Sequence, residues 1–362
     1  MRGPIVVLLL AFCGCVTDSK KETVETAEEQ AATVASFALD DKKEIVCFVY
    51  HRFGDSRYPT TNVSLNDFGS HLSWLKTNGY RVVTLSQALE SRANDSVHVK
   101  TAVITVDDGY KSFFKNGLPL LKKFGFQATL FINTETVGSD DYMDWPELKN
   151  AASAGIEIGN HTHSHAYFLN EPEISRYRQL LREIEDSQQM IEQKIGYKPK
   201  VFAYPYGEFD PEMKMIVKAL GFTAAAAQNS GVINSTTDLF ELPRFPMSET
   251  YAEKFEEKAQ MHALPVIGKA PESHVLTRNQ NQPVLTLTVK NISIQIDQLD
   301  CFVQGSECKL KLTPLTDSTF QVTLESVSSI ADRRRTLYTI TAPDDKGEWY
   351  WYSHLWINPG VK

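Results

Sequence analysis

The 362-residue sequence has room for more than one folded domain, and its 42% hydrophobic and 23% charged content is that of a globular chain. A formal net charge of -8 argues against a nucleic-acid partner, which would demand a basic face. After the N-terminus no apolar run has the length of a membrane span.

Met1 and Arg2 give a short positive region, residues 5–12 an apolar core too short to span a bilayer, and Cys13-Gly14-Cys15 a small-residue cleavage context. That order reads as an export signal. It resembles a bacterial lipoprotein signal, which implies cleavage after Gly14, acylation of Cys15 and an exported, lipid-anchored place in the cell envelope. Phe12 departs from the usual Leu or Val of that motif, and a soluble secreted protein cut nearby is the alternative. Residues 16–40, without Gly or Pro, are expected to form a polar tether. Export permits disulfides, and Cys301 with Cys308 is the expected pair, whereas Cys47 lies in an apolar run and reads as a buried filler.

From residue 44 strands and helices alternate. Residues 44–50 form a strand-like run. Ser64, with Asp67 three residues later, opens a helix carrying Leu65, Phe68, Leu72 and Leu75, which Gly79 closes. Strands follow at 81–85 and 101–106, then a helix through Phe113, Leu118 and Leu121, and buried strands at 128–132 and 155–159. A long helix from Asn170 and Pro172 to Gly196 has Ile174, Tyr177, Leu181, Ile184, Ile191 and Ile195 on one side. Two more strands, 201–203 and 223–227, flank another helix. The repeat predicts an α/β fold, a parallel (β/α) barrel partly or wholly closed, over residues 41–265.

Chemistry-bearing residues sit at the ends of these strands. Asp107 and Asp108 are adjacent carboxylates at the mouth of the third strand, an unfavourable pairing unless a cation or a shared proton separates their roles. His161, His163 and His165 follow the fifth strand. Imidazoles with a carboxylate suit zinc and its neighbours cobalt and nickel, and a catalytic site uses three protein ligands with positions left open. Asp108, His161 and His165 are the candidate ligands of one divalent ion, leaving Asp107 as a base. Alone, Asp-Asp-Gly is most often a surface turn and a His-rich pentamer an exposed loop; it is the two after buried strands that point to a site. His51 after the first strand and Pro205-Tyr206 after the sixth fall on the same carboxyl-end face, where parallel α/β folds assemble their sites.

At these residues the chain resembles the polysaccharide deacetylases with a NodB-homology domain, carbohydrate esterase family four. Thr105-Val106-Asp107-Asp108-Gly109 is similar to the family's first motif, His161-Thr162-His163-Ser164-His165 to its second and Tyr204-Pro205-Tyr206-Gly207 to its third, within residues 44–250. The resemblance implies Asp107 as general base and Asp108, His161 and His165 as metal ligands. It also implies the backbone N–H of Tyr206 as oxyanion donor. Ala203 stands where the family's third motif carries a base-orienting Arg, and the usual C-terminal Leu-x-His is missing, since His262 is not on an apolar strand. One branch, the permuted poly-N-acetylglucosamine deacetylases, takes its acid histidine from an N-terminal Tyr-His, which Tyr50-His51 matches. Arg244, in Leu242-Pro243-Arg244, is the expected replacement for the arginine.

The implied activity is metal-dependent removal of N-acetyl groups from an amino-sugar polysaccharide, with an O-acetyl polysaccharide esterase or a non-catalytic glycan-binding lipoprotein as alternatives. His163 is expected to pack at the rim. Tyr110, Tyr206 and Trp145 are candidate sugar-stacking faces as well as candidate packing residues. Asp140-Asp141 reads as a solvated loop. Pro265, Gly268 and Pro271 mark a boundary, and residues 266–362 show two-residue alternation at 284–289, 292–296, 310–312 and 320–324, as in an antiparallel β-sandwich. In residues 349–356 alternation sends Trp349 and Trp351 to one face and Tyr350 and Tyr352 to the other, one set for the core and one for glycan or the catalytic domain. Arg333-Arg334-Arg335 forms an adjacent basic strip. The sequence leaves oligomeric state open.

Overall fold

Strand and helix alternate from Ile45 onward, as the switching apolar periods of the sequence require. The computed structural model describes residues 43–94, 100–292 and 294–361; the signal with Cys15 and the tether lie outside the described residues. In chain order the elements are β1 Ile45–Tyr50, α1 Leu65–Thr77, β2 Arg81–Val83, α2 Leu85–Ala93, β3 Thr101–Val106, α3 Leu118–Phe124 and β4 Thr129–Ile132. There follow α4 Trp145–Ser153, β5 Glu157–Asn160, α5 Glu173–Ile195, β6 Val201–Ala203, α6 Pro211–Ala219 and β7 Ala224–Ala226. Ser64 caps α1 by accepting from the Asp67 N–H, and Thr84 and Asp144 open α2 and α4 with full capping boxes.

These strands form a curled parallel sheet in the order β1-β3-β4-β5-β6-β7. β1 pairs with β3 along its whole length, from Ile45 opposite Thr101 to Tyr50 opposite Val106. The other edge of β3 is shared, β2 pairing at Thr101 to Val103 and β4 at Thr105 and Val106. After β7 the chain returns between the sheet's two edges. Ala225 N–H donates to Leu239 and Leu242 N–H to Ala225, and the same segment then pairs in parallel with β1, Phe245 opposite Phe48. The barrel is thereby brought close to closure.

Side chains alternate about this wall as the period of a strand requires. Cys47, Val103, Phe131, Ala203, Ala224, Ala226 and Leu242 share one buried cluster, while Val46, Phe48, Tyr50, Ile104 and Val106 pack in another with Phe68, Leu72 and Leu75 of α1. Burial pushes the Cys47 thiol up to about 12, so it is an inert packing group.

The long helix α5 is rotated from its apolar pattern. Its buried face is Leu180, Ile184, Ser187, Gln188 and Ile191, while Ile174 is 90% and Leu181 36% exposed. The cause is polar: Gln188 accepts from the Asn160 side chain at 3.0 Å and donates to the Pro199 carbonyl at 2.8 Å, turning a hydrophilic position inward.

Beyond residue 261 two four-stranded sheets enclose a second core of Leu285, Leu287, Val322, Leu324, Ile340, Tyr350 and Trp356. One contains His262–Ala263, Trp349–Ile357, Arg335–Pro343 and Asp300–Val303; the other Val266–Ala270, Val284–Lys290, Thr319–Ser326 and Cys308–Thr316. All pairings are antiparallel except that of His262–Ala263 with Tyr350 and Trp351. The expected strand at 292–296 is absent among the described residues, where Ile294 makes a single bridge and Ile296–Gln298 is a short helical turn. Cys301 and Cys308 form a disulfide. Tyr350 faces the sandwich core, Trp351 packs against Phe245 of the barrel, and Trp349 is 45% exposed.

Two glycines of ordinary φ make the packing testable. A methyl at Gly159 in β5 would run into the Phe131 ring, whereas Gly69 in α1 has open space beside it. Gly159→Ala is expected to lose about 1–3 kcal/mol by overpacking, and Gly69→Ala to gain about 0.5–1 kcal/mol of helix propensity. Urea unfolding midpoints moving in the same direction would contradict this assignment.

Candidate active site

The carboxyl ends of β1, β3, β5 and β6 converge. Asp108 follows β3, and His161 and His165 lie on the loop after β5. Asp108 Oδ1 is 3.5 Å from His161 Nε2 and 3.4 Å from His165 Nε2, and the two Nε2 atoms are 3.1 Å apart. A tetrahedral zinc ion with bonds of about 2.0–2.1 Å sets its ligand atoms about 3.3–3.4 Å apart, so the three atoms lie near the corners of one face of such a site. His161 Nδ1 is 2.8 Å from the Ala203 carbonyl and donates to it, which leaves the Nε2 lone pair for an ion. The donor set therefore fits a divalent metal.

The local electrostatics agree. Burial, reinforced by nearby His161, lowers His165 to about 4, which keeps it a neutral imidazole. Burial would raise the Asp108 carboxyl, but the His161 hydrogen bond and the fields of His51 and His165 hold it well below the usual range. Burial likewise opposes a proton on His161, yet Asp108 and Asp107 pull the group upward. The pocket is built around positive charge.

Asp107 is held apart from this set. Arg244 grips it with two bonds, Nη1–Oδ1 at 2.8 Å and Nη2–Oδ2 at 2.9 Å, with both side chains fully buried. The guanidinium also donates from Nε to the Ala227 carbonyl at 2.8 Å and from Nη1 to Thr105 Oγ1 at 3.0 Å. Against the upward push of burial, Arg244 keeps the Asp107 carboxyl below its ordinary range.

His51, at the end of β1, contributes to the charge environment of both aspartates and has no hydrogen-bond partner among the described residues. Pro205 is buried in the turn after β6. Tyr206, next in the chain, has φ 58 and ψ 6, and its N–H finds no acceptor among the described residues. Among the described residues, Asp108, Thr162, His165 and Tyr206 are four of five non-glycine residues with positive φ, the other being Asn279. Such conformations cost roughly 1–3 kcal/mol each and persist only where surroundings enforce them, as at ligand sites.

A model of the polysaccharide deacetylase family matches residues 94–225. Over 213 residues the chain is 24% identical to the poly-beta-1,6-N-acetyl-D-glucosamine N-deacetylase of Staphylococcus aureus, an overlap that covers 56% of this chain and 73% of that one. Among solved structures, IcaB from Ammonifex degensii matches with a TM-score of 0.53 at 25% identity, over 60% of this chain and 97% of the other. The Streptococcus pyogenes deacetylase PplD in complex with acetate shares the fold, with a TM-score of 0.55 at 20% identity, over 60% and 98% of the two chains. Residues 94–225 are thus similar to the polysaccharide deacetylase family, and the fold around them is that of solved deacetylases.

His163 lies outside the metal set as expected, whereas several other candidate residues have partners of their own. His163 turns its Nδ1 to Thr134 Oγ1 at 2.9 Å, away from the metal set. Tyr110 is not an open sugar platform, because Arg52 lies 3.5 Å over its ring and Tyr142 stacks beside it at 4.9 Å. Trp145 packs against the barrel core, and one face of Tyr206 is covered by Tyr167. Asp141 is not merely solvated, since it pairs with Arg57 at 2.8 Å and Arg52 at 3.7 Å. The Arg333–Arg335 strip is engaged as well, Arg334 with Glu208 at 2.7 Å.

Sequence reading missed Glu183 and Asn160. Glu183 of α5 accepts from the N–H groups of His163 and Ser164, at 3.1 and 2.6 Å, and from the Ser164 hydroxyl at 2.8 Å. Asn160 accepts from Thr162 N–H at 2.8 Å. Together they shape the histidine loop. The one available signal was a carboxylate and an amide whose helix and strand positions looked ordinary.

Removing Arg244 tests the ion pair. Arg244→Met leaves a buried unpaired carboxylate and should lose about 3–5 kcal/mol at neutral pH. In the wild type the depressed Asp107 pKa contributes stability above the unfolded value of about 3.9, lost as pH falls below it. In the variant burial is opposed only by the fields of His161 and His51, so the group moves upward and the deficit should shrink between about pH 7 and pH 4. A deficit independent of pH in urea titrations would contradict the pairing.

Proposed function

We propose that this protein hydrolyses N-acetyl groups on an amino-sugar polysaccharide, releasing acetate, with one divalent ion held by Asp108, His161 and His165. The observation that carries the reading is the split between two adjacent carboxylates, one joined to two imidazoles at metal-ligand spacing and the other locked to Arg244. The donor set favours zinc, with cobalt and nickel next. When bound, the ion supplies Lewis acidity, polarising an acyl oxygen and easing the ionisation of water.

The chain's own groups supply the rest. Asp107, oriented by Arg244, accepts a proton as water oxygen adds to the acetyl carbon. The unpartnered N–H of Tyr206 donates to the oxygen on which negative charge develops. His51 gives a proton to the sugar nitrogen as the carbon–nitrogen bond breaks, so acetate and a free amine leave. The similarity to the Staphylococcus aureus poly-beta-1,6-N-acetyl-D-glucosamine N-deacetylase supports an N-acetylglucosamine polymer as substrate.

Asp107→Asn should retain metal and lose about 10²–10⁴-fold in turnover, the range of a general base, whereas His165→Ala should lose metal and activity together. Metal analysis beside acetate release on N-acetylglucosamine oligomers checks both. Metal loss in Asp107→Asn would reverse the roles of the two aspartates, and faster release from acetylated xylan would favour an esterase.

The N-terminal motif supports lipid anchoring at Cys15 in the cell envelope. Cys15→Ser is expected to move the protein from the detergent to the aqueous phase on partitioning; unchanged partitioning argues for a different anchor or none.

A further inference from the structure

The C-terminal sheets reach into the barrel's site through Arg334 and Arg335. Arg334 donates to both oxygens of Glu208, from Nε at 2.8 Å and Nη2 at 2.7 Å, and from Nη1 to Asn170 Oδ1 at 2.9 Å and the Val361 carbonyl at 2.7 Å. Glu208, two residues after Tyr206, is buried. The same guanidinium lies 4.3 Å from the centre of the Tyr167 ring. Tyr167 stacks flat on Tyr206, with centroids 3.6 Å apart and planes 5° from parallel, and Tyr206 meets the His165 ring at 4.4 Å. Arg335 donates from Nη1 to the Tyr206 carbonyl at 3.1 Å.

An arginine therefore holds the chain on the carboxyl side of Tyr206, another takes its carbonyl, and a stack of guanidinium, phenol and phenol ends on a candidate metal ligand. A left-handed tyrosine is unfavourable by itself and needs such over-determination. An ion pair that merely joined two domains would have no reason to grip the peptide next to the strained residue.

We infer that the C-terminal β-sandwich is a working part of the active site, with Arg334 and Arg335 as positioning residues that hold Tyr206 left-handed and the His165 ring in place. The inference rests on the deacetylase reading above, in which the Tyr206 N–H serves the developing oxyanion. A donor aimed at charge that exists only in the transition state affects kcat more than KM.

The full chain is the object of the test. Arg335→Ala removes a side chain that is 39% exposed and should leave folding intact. Arg334→Met combined with Glu208→Gln removes both members of the buried pair, so that no buried charge is left unpaired; Arg335, 3.9 Å from Glu208, is 39% exposed. Each should lower kcat about 10- to 100-fold, with KM within about twofold and metal content unchanged. Arg335→Lys should recover part of the loss. Amide exchange over residues 204–210 should quicken in both variants.

Wild-type kcat in both variants, or a rise in KM at constant kcat, overturns the inference while leaving the deacetylase reading in place. A wild-type chain that releases no acetate from any polymer sinks the deacetylase reading instead. Exchange over 204–210 then decides the positioning role alone, and unchanged exchange rejects it.

Discussion

Arg244 and Asp107 face each other across the barrel interior with neither side chain exposed, and the arginine spends its remaining donors on the Ala227 carbonyl and Thr105. Buried pairs of this kind are poor sources of stability, because desolvating two charges offsets most of their attraction. What the pair provides is geometry. It links the returning segment to β3 and the chain just after β7, and it fixes a carboxylate that would otherwise turn toward the imidazoles beside it. Ala203, where the family places its arginine, sits in the same interior cluster as Phe131, over whose ring Arg244 lies at 5.7 Å. The charge is the same kind of group delivered from a different strand end.

With Asp107 so restrained, two neighbouring acids can hold different roles. Asp108 turns from its partner through a positive-φ backbone, φ 74, and joins His161 and His165. The His161 proton is fixed on Nδ1 by the Ala203 carbonyl, so the residue at the lost arginine position still serves the site through its backbone. The histidine loop bends through Thr162, a β-branched residue at φ 69, and is braced by Asn160 and Glu183. This bracing explains the rotation of α5, whose inward face carries polar groups where periodicity alone would place Ile174 and Leu181.

The aromatic-rich last strand joins the two halves of the molecule. Tyr350 enters the sandwich core, Trp351 packs beside Phe245 with Lys258 3.5 Å over its ring, and Leu355 and Ile357 share a buried cluster with Phe202, Tyr204 and Phe209. Alternation along a strand separated these side chains into two sets, one turned to the sandwich core and the other to the barrel, with Trp349 left 45% exposed. The arginines before the neighbouring strand then lie against the Tyr206 loop.

The sequence by itself determined which residues stand at strand ends. Apolar runs fixed β1, β3, β4 and β5, and the residues following them, His51, Asp107, Asp108, His161 and His165, were placed together because strands in a parallel sheet share a direction. The caps of α1 and α5 and the Cys301–Cys308 pair were equally local. The pairing of Arg244 with Asp107 followed from the motif resemblance, but only the tertiary structure decided which other distant groups meet: Glu183 with the histidine loop, and Arg334 with Glu208, 126 residues apart. Periodicity records which face of an element is apolar, but the curl of a sheet and the angle at which a helix lies on it set which polar side chain reaches across. Those quantities arise from packing the whole wall and are written in no short stretch of chain.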